Sequence, residues 1–147
     1  GERTFDAAAY LKRHGLDTVA VKRMFNVGKS DYRERVTIVS TIENITDNIA
    51  VAVADKPYPN IRVVASQAAD DMLNIEDIRA SFVIYKDGDS IGISGRSFGD
   101  INVQLILEQL GGGGHLTIAG AQLKNSTIEQ AKKQLAQVVV SYMEENK

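Results

Sequence analysis

Phe82-Val83-Ile84-Tyr85, Lys86-Asp87-Gly88-Asp89 and Ser90-Ile91-Gly92-Ile93-Ser94 run on without a break, and how this stretch is read decides the fold. Two apolar runs flank an Asp-Gly pair, a strong short-range hairpin signal, because a type I′ turn needs positive φ at both central residues. A calcium loop is the alternative at Asp87-Gly88-Asp89, and the turn is preferred because the remaining ligands and the distal glutamate of that motif are missing. Upstream, Ile49 to Ala54 is a buried-strand run and Lys56-Pro57-Tyr58-Pro59-Asn60 a turn. Ile61, Val64, Ala65, Ala68, Met72 and Leu73 then recur at helical spacing. Downstream, Asp100 is placed to cap a helix over 101–110 that buries Val103, Ile106, Leu107 and Leu110, and a strand is expected over 115–123. Ser126 or Thr127 opens a last helix with Ile128, Ala131, Leu135, Val138, Val139 and Tyr142 on one face.

The pattern predicts an α/β (α+β) fold, a mixed β-sheet containing a hairpin and packed by helices. Residues 1–44 read as a helical connector and 45–147 as the sheet-bearing domain. The connector carries expected helices over 4–14, from Asp17 through Phe25, and from a cap at Ser30 or Asp31 with Tyr32, Val36, Val39 and Ile42 on its apolar side. The chain opens at Gly1-Glu2-Arg3-Thr4 without an initiator methionine and reads as a fragment of something longer.

At 147 residues, 44% hydrophobic and 24% charged, the chain is long enough to bury a core without a disulfide or a structural metal. It has no cysteine, so thiolate chemistry is excluded. A net charge of −2 argues against the broad basic face of a duplex DNA binder while leaving room for a small basic pocket. No apolar run approaches the roughly 20 residues of a membrane span.

Two constellations carry chemistry. Gly111-Gly112-Gly113-Gly114-His115 lies between core-like flanks, unlike a solvated linker. Successive glycines let backbone N–H groups turn inward to form an anion-binding concavity, or they simply end a helix. The run fits neither the Gly-x-Gly-x-x-Gly nor the Gly-Lys-Ser/Thr template, both of which sit between a strand and a helix. His115 offers a hydrogen bond or a positive charge. The second constellation is Ser94-Gly95-Arg96-Ser97, where the arginine fork and the serine hydroxyls suit phosphate. A surface ion pair is the plainer role for Arg96. One ten-residue helix spans only about 15 Å, so both segments can border one cleft. His14 reads as a cation at a helix end. Asp70-Asp71 reads as a solvated helix face, since neighbouring side chains point about 100° apart. No hydrolytic centre or metal cluster is visible.

Ser94-Gly95-Arg96-Ser97, Asn102-Val103, Gly111-Gly112-Gly113-Gly114-His115 and Ala119-Gly120-Ala121 together resemble the DHH-associated C-terminal domain of DHH-family phosphoesterases. Ala65-Ser66-Gln67-Ala68-Ala69-Asp70 and His115-Leu116-Thr117 resemble the membrane-anchored cyclic-di-AMP phosphodiesterases of Gram-positive bacteria, and Arg3-Thr4-Phe5 resembles the end of their catalytic domain. The resemblance implies that residues 1–44 are the tail of a catalytic DHH domain and that 45–147 bind substrate. It implies phosphate or nucleobase contacts by Ser94, Arg96, Ser97, Gly111, Gly112, Gly113, Gly114 and His115. The ligand would be a cyclic dinucleotide or a short oligonucleotide, and the chain's own catalytic DHH domain and a second copy would be partners. The two manganese ions of such an enzyme would be bound outside this chain, so the fragment alone would not hydrolyse. The location implied is the cytoplasmic portion of a membrane-anchored bacterial protein. Alternatives are the same module from an oligoribonuclease or single-strand exonuclease of the family, and a stand-alone nucleic-acid-binding domain.

Overall fold

Helix α1 (Lys29–Val39) leads into a hairpin of β1 (Glu43–Thr46) and β2 (Ile49–Ala54), followed by helix α2 (Ile61–Met72). The computed structural model describes residues 29–147, so the helices expected at 4–14 and from Asp17 to Phe25, and His14, lie outside the described residues. Strands β3 (Ala80–Asp87) and β4 (Ser90–Ser97), helix α3 (Val103–Glu108), strands β5 (Gly113–Gly114) and β6 (Ile118–Lys124) and helix α4 (Ile128–Glu145) complete the order. Residues 33–147 belong to one compact unit. The strands form one sheet in the order β1-β2-β3-β4-β6-β5, with β2 and β3 parallel and every other pair antiparallel. The expected mixed α+β sheet is the fold observed.

Strand alternation sends side chains to two cores. On one face Ile49, Val51, Phe82, Ile84, Ile91 and Ile93 pack with Val103, Ile106 and Leu107 of α3 and with Ala131, Leu135 and Val139 of α4. On the other, Ala50, Ala52, Ala54, Val83 and Tyr85 pack with Ile38 of α1 and with Val64, Ala65, Ala68 and Met72 of α2. The buried Ser81 hydroxyl donates to the Ala69 carbonyl at 2.6 Å, tying α2 to β3. Thr127 caps α4 in a reciprocal capping box with Gln130, one of the two caps expected there.

Local details depart from the sequence reading. The ladder closes at Asp87 and Ser90, so Gly88-Asp89 is the turn, and positive φ falls on Gly88 alone (61°). That is the type II′ pattern, with glycine first, and not the expected type I′. Ser30 and Asp31 lie inside α1, not ahead of it. Its buried residue is Ile38, while Tyr32 and Val36 are exposed, because the sheet meets a different side of the helix. Asn102, not Asp100, caps α3, its side chain accepting from the Leu105 N–H at 3.1 Å. Asp100 is held by Arg79 at 2.8 Å. The strand expected over 115–123 begins at Ile118 and ends at Lys124. Strand β1 spans the 44/45 division read from the sequence. Among the described residues no helix is long and apolar enough to cross a membrane.

Leu135 is fully buried where α4 meets the sheet. Leu135→Ala is expected to cost about 2–5 kcal/mol, read as a lower denaturant midpoint at unchanged slope.

Candidate functional site

Helix α2 packs over β2, β3 and β4. Beyond it the same sheet face opens: Ile118, Gly120, Gln122 and Lys124 of β6 are exposed, whereas Ala119 and Ala121 on the opposite face are buried. The result is a trough of about 410 Å³ running beside α2. Its floor is a row of small residues in register across three strands, Ser94 of β4, Gly120 of β6 and Gly113 of β5.

The α2 side of the trough carries a polar stripe, of which Arg62 lines the trough itself. Arg62, Ser66 and Asp70 recur every four residues and so share one helix edge. Each meets a partner in the sheet. Arg62 Nε donates to the Asp87 carboxylate at 2.7 Å, the Ser66 and Ser94 hydroxyls lie 3.4 Å apart, and Arg96 Nε lies 3.3 Å from an Asp70 oxygen. Asp70 and Asp71 are therefore not the simple solvated pair expected. Their 100° offset sends them to two arginines, with Asp71 taking a bidentate pair from Arg35 at 2.9 and 2.6 Å. Desolvation raises the Asp70 carboxyl above its ordinary value, against the downward pull of Arg96.

The sequence-predicted residues separate by face. Ser94 and Arg96 share the trough side of β4, with Arg96 also donating from Nη1 to the Gly95 carbonyl at 2.8 Å. Ser97 stands on the other side. Its hydroxyl donates to the Ile101 carbonyl at 2.6 Å and its N–H to the Thr117 carbonyl at 3.0 Å. Ser97 thus stitches the end of β4 to the turn carrying His115. His115 is exposed in that turn, not first in a strand, and its N–H donates to the Ile118 carbonyl at 2.6 Å. Since Ile118 pairs with Arg96, His115 belongs to the Arg96 end of the sheet.

The glycine run has three different tasks. Gly111 takes φ of 79° and ends α3 in a Schellman motif, with Gly111 N–H donating to Glu108 and Gly112 N–H to Leu107. A Cβ on Gly112 would collide with the Gly120 carbonyl, and one on Gly114 with the Ile118 carbonyl, so both let β5 lie against β6. Gly113 has neither constraint, and a Cβ there meets nothing within 4 Å. Positive φ is thus not what Gly113 supplies.

Sequence reading missed the far end of the trough. Tyr85 lies across Gly92, its cross-strand partner, where any Cβ would strike the ring. Its hydroxyl lies 3.3 Å from the Gln122 amide nitrogen, and the Ser90 hydroxyl 2.9 Å from the amide oxygen. Burial first, and then the nearby Asp87 charge, pushes the Tyr85 phenol up, so it stays neutral. The four-residue polar spacing on α2 was the available signal for the wall. A separate cleft of about 350 Å³ between α3 and α4 gathers Leu105, Gln137 and Tyr142 but none of the expected site residues.

The DHHA1 domain family matches residues 48–145, and the chain belongs to that family. It is 43% identical over 148 residues to the cyclic-di-AMP phosphodiesterase GdpP of Geobacillus thermodenitrificans, covering 100% of this chain and 22% of that protein. It is 46% identical over 143 residues to the cyclic-di-AMP phosphodiesterase PdeA of Listeria monocytogenes, covering 97% of this chain and 22% of that one. The chain thus spans about a fifth of the length of these relatives. An exopolyphosphatase-related protein from Bacteroides fragilis shares the fold, with a TM-score of 0.78 at 22% identity over 97% of this chain and 44% of that one.

Gly112→Ala is expected to lower the melting temperature by roughly 2–8 °C, the consequence of about 1–3 kcal/mol of forced displacement. Gly113→Ala should melt like the wild type. Equal melting of both variants would show that β5 does not need its close approach to β6.

Proposed function

We propose that this chain is the substrate-holding part of a phosphodiesterase that opens one phosphodiester bond of cyclic-di-AMP to give a linear dinucleotide. The observation that carries the reading is the bare sheet face, where Arg96 lies on the same side of β4 as Ser94, two residues along the strand from a trough lined by Ser94, Gly113 and Gly120. The cyclic-di-AMP phosphodiesterases to which the chain is similar support the choice of ligand. Arg96 is largely buried, with its side chain 14% exposed, and is already ordered by Gly95 and Asp70. Its fork carries five N–H donors, so donors are left for a phosphate oxygen, which competes with Asp70 for the same cation. Little side-chain entropy is then lost on binding. Gly113 and Gly120 let the ligand approach the backbone, Ser94 adds a hydroxyl, and His115 meets a phosphate or base edge at the rim. Ser97 acts indirectly, holding the His115 turn to β4.

Two-metal hydrolysis needs ions about 3.5–4 Å apart between converging ligands. Among the described residues no three His, Asp or Glu gather to hold a metal ion, so these residues do not fit a manganese pair. In this reading both ions sit on the protein's own catalytic DHH domain, which faces the trough. The protein is anchored at a membrane with this chain on the cytoplasmic side, and it pairs with a second copy.

Arg96→Ala in the full-length protein is expected to weaken cyclic-di-AMP binding and turnover roughly ten- to a hundredfold, since a charge-assisted contact is worth about 1.5–3 kcal/mol. His115→Ala should reduce turnover at least tenfold, about 1.4 kcal/mol. Both variants should keep the wild-type melting temperature within a few degrees. A large drop in stability with unchanged activity per folded molecule would make Arg96 structural and remove it from the site.

A further inference from the structure

The trough has a second end that the phosphate-holding residues do not explain. Gln122 of β6 is exposed there, directly across from Gly92 of β4. Arg96 and Gly92 are four residues apart on one strand, so about 13 Å of sheet separates the two ends. A nucleotide whose base sits over Gln122 therefore has its sugar and phosphate over Gly120, Gly113 and Ser94, directed toward Arg96.

Gln122 is not a free surface amide. Hydroxyls flank it on both sides, Ser90 at 2.9 Å from Oε1 and Tyr85 at 3.3 Å from Nε2. Each partner engages one atom of the carboxamide. An amide nitrogen has two N–H donors and an amide oxygen two lone pairs. One donor and one acceptor of the amide thus stay unused on a residue that lines the trough. The single Ser90 proton is shared between the Gln122 oxygen and the Asp87 carbonyl at 3.0 Å, so the buried Tyr85 hydroxyl, accepting from Nε2, does most to set the amide plane. The side chain is oriented before a ligand arrives.

We propose that Gln122 is the base-reading residue of this trough and that it selects adenine, with Ser90 and Tyr85 as its positioning residues. The proposal rests on the dinucleotide reading above and adds to it the group that distinguishes one base from another. For a base that enters by its N7 edge, an adjacent donor and acceptor match the N6–H and N7 of adenine in bidentate fashion, whereas guanine presents two acceptors, O6 and N7, along that edge. The small residues beside Gln122 supply the flat floor that a base needs to reach it edge-on. Tyr85 takes part because Gly92 lets its ring cross β4.

The test is equilibrium binding of fluorescent cyclic-di-AMP and cyclic-di-GMP to the full-length protein and its variants. Gln122→Ala is expected to weaken cyclic-di-AMP binding five- to a hundredfold, the range of one bidentate base contact. Gln122→Glu should lower the ratio of cyclic-di-AMP to cyclic-di-GMP affinity at least tenfold, because a carboxylate cannot donate to adenine yet accepts from the N1–H and N2–H of guanine. Ser90→Ala should move the same ratio in the same direction by less, at an unchanged melting temperature. An unchanged ratio in Gln122→Glu, with Arg96→Ala still weakening binding tenfold or more, would overturn the role of Gln122 and leave the dinucleotide reading standing. Failure of the wild-type protein to bind either dinucleotide would overturn both.

Discussion

A helix about 10 Å across covers roughly two strands spaced about 4.8 Å apart, and the site follows from that limit. Helices α3 and α4 together reach across one face of the six-stranded sheet, so β6 buries Ala119 and Ala121 there. On the other face α1 and α2 crowd together over β2 and β3, with α2 also reaching β4, and the β6 residues on that side stay exposed. The trough is the part of the sheet that the helices leave bare. It needs no dedicated loop to shape it, and its walls inherit the rigidity of the sheet and of a helix fastened by Ser81 and by three polar pairs.

Small residues do unlike work in this arrangement. Gly92 makes room for the Tyr85 ring, and Gly95 faces Phe82 and Leu107 in the core below. Gly111 stops a helix, while Gly112 and Gly114 bring an edge strand against β6. Within the four-glycine run only Gly113 has neither a positive φ nor a neighbour in the way of a Cβ, and that position lines the trough. A glycine run that reads as one motif thus divides into a cap, two packing contacts and one stretch of accessible backbone.

The parts of the fold legible in the sequence are those set by local pattern. The central hairpin, β2, α2 and the Thr127-capped α4 were readable because apolar period, turn residues and caps agreed. What was lost depends on distant partners. Strand β1, Glu-Asn-Ile-Thr, is a polar edge strand whose only strand signal is pairing with β2. Asp100 and Asn102 are both fit to cap α3, and Arg79, twenty-one residues from Asp100, removes the first. Two glycines cannot announce a strand, so β5 was hidden inside a motif. Of the site, Ser94, Arg96 and the glycines were visible as chemistry. The opposite placement of Ser97 was implicit in the two-residue period of β4 once that strand runs to Ser97 and not to Ser94. Gln122 and Tyr85 carry no motif at all and become a pair only through strand register.

The two arginines that meet the acidic pair of α2 show why one of them suits a ligand. Arg35 grips Asp71 through two short bonds, a fork-on-fork geometry whose disruption strands a carboxylate. Arg96 touches Asp70 through one nitrogen at 3.3 Å, and the Asp70 side chain is 63% exposed. Water can take over that carboxylate when the guanidinium turns to another anion. Desolvation raises the Asp70 carboxyl despite the neighbouring cation, so the pair offsets only part of what burial costs it. In the proposed function, a cation held this way would exchange its carboxylate for an incoming phosphate at little cost. The tighter pair at Arg35 ties α1 to α2.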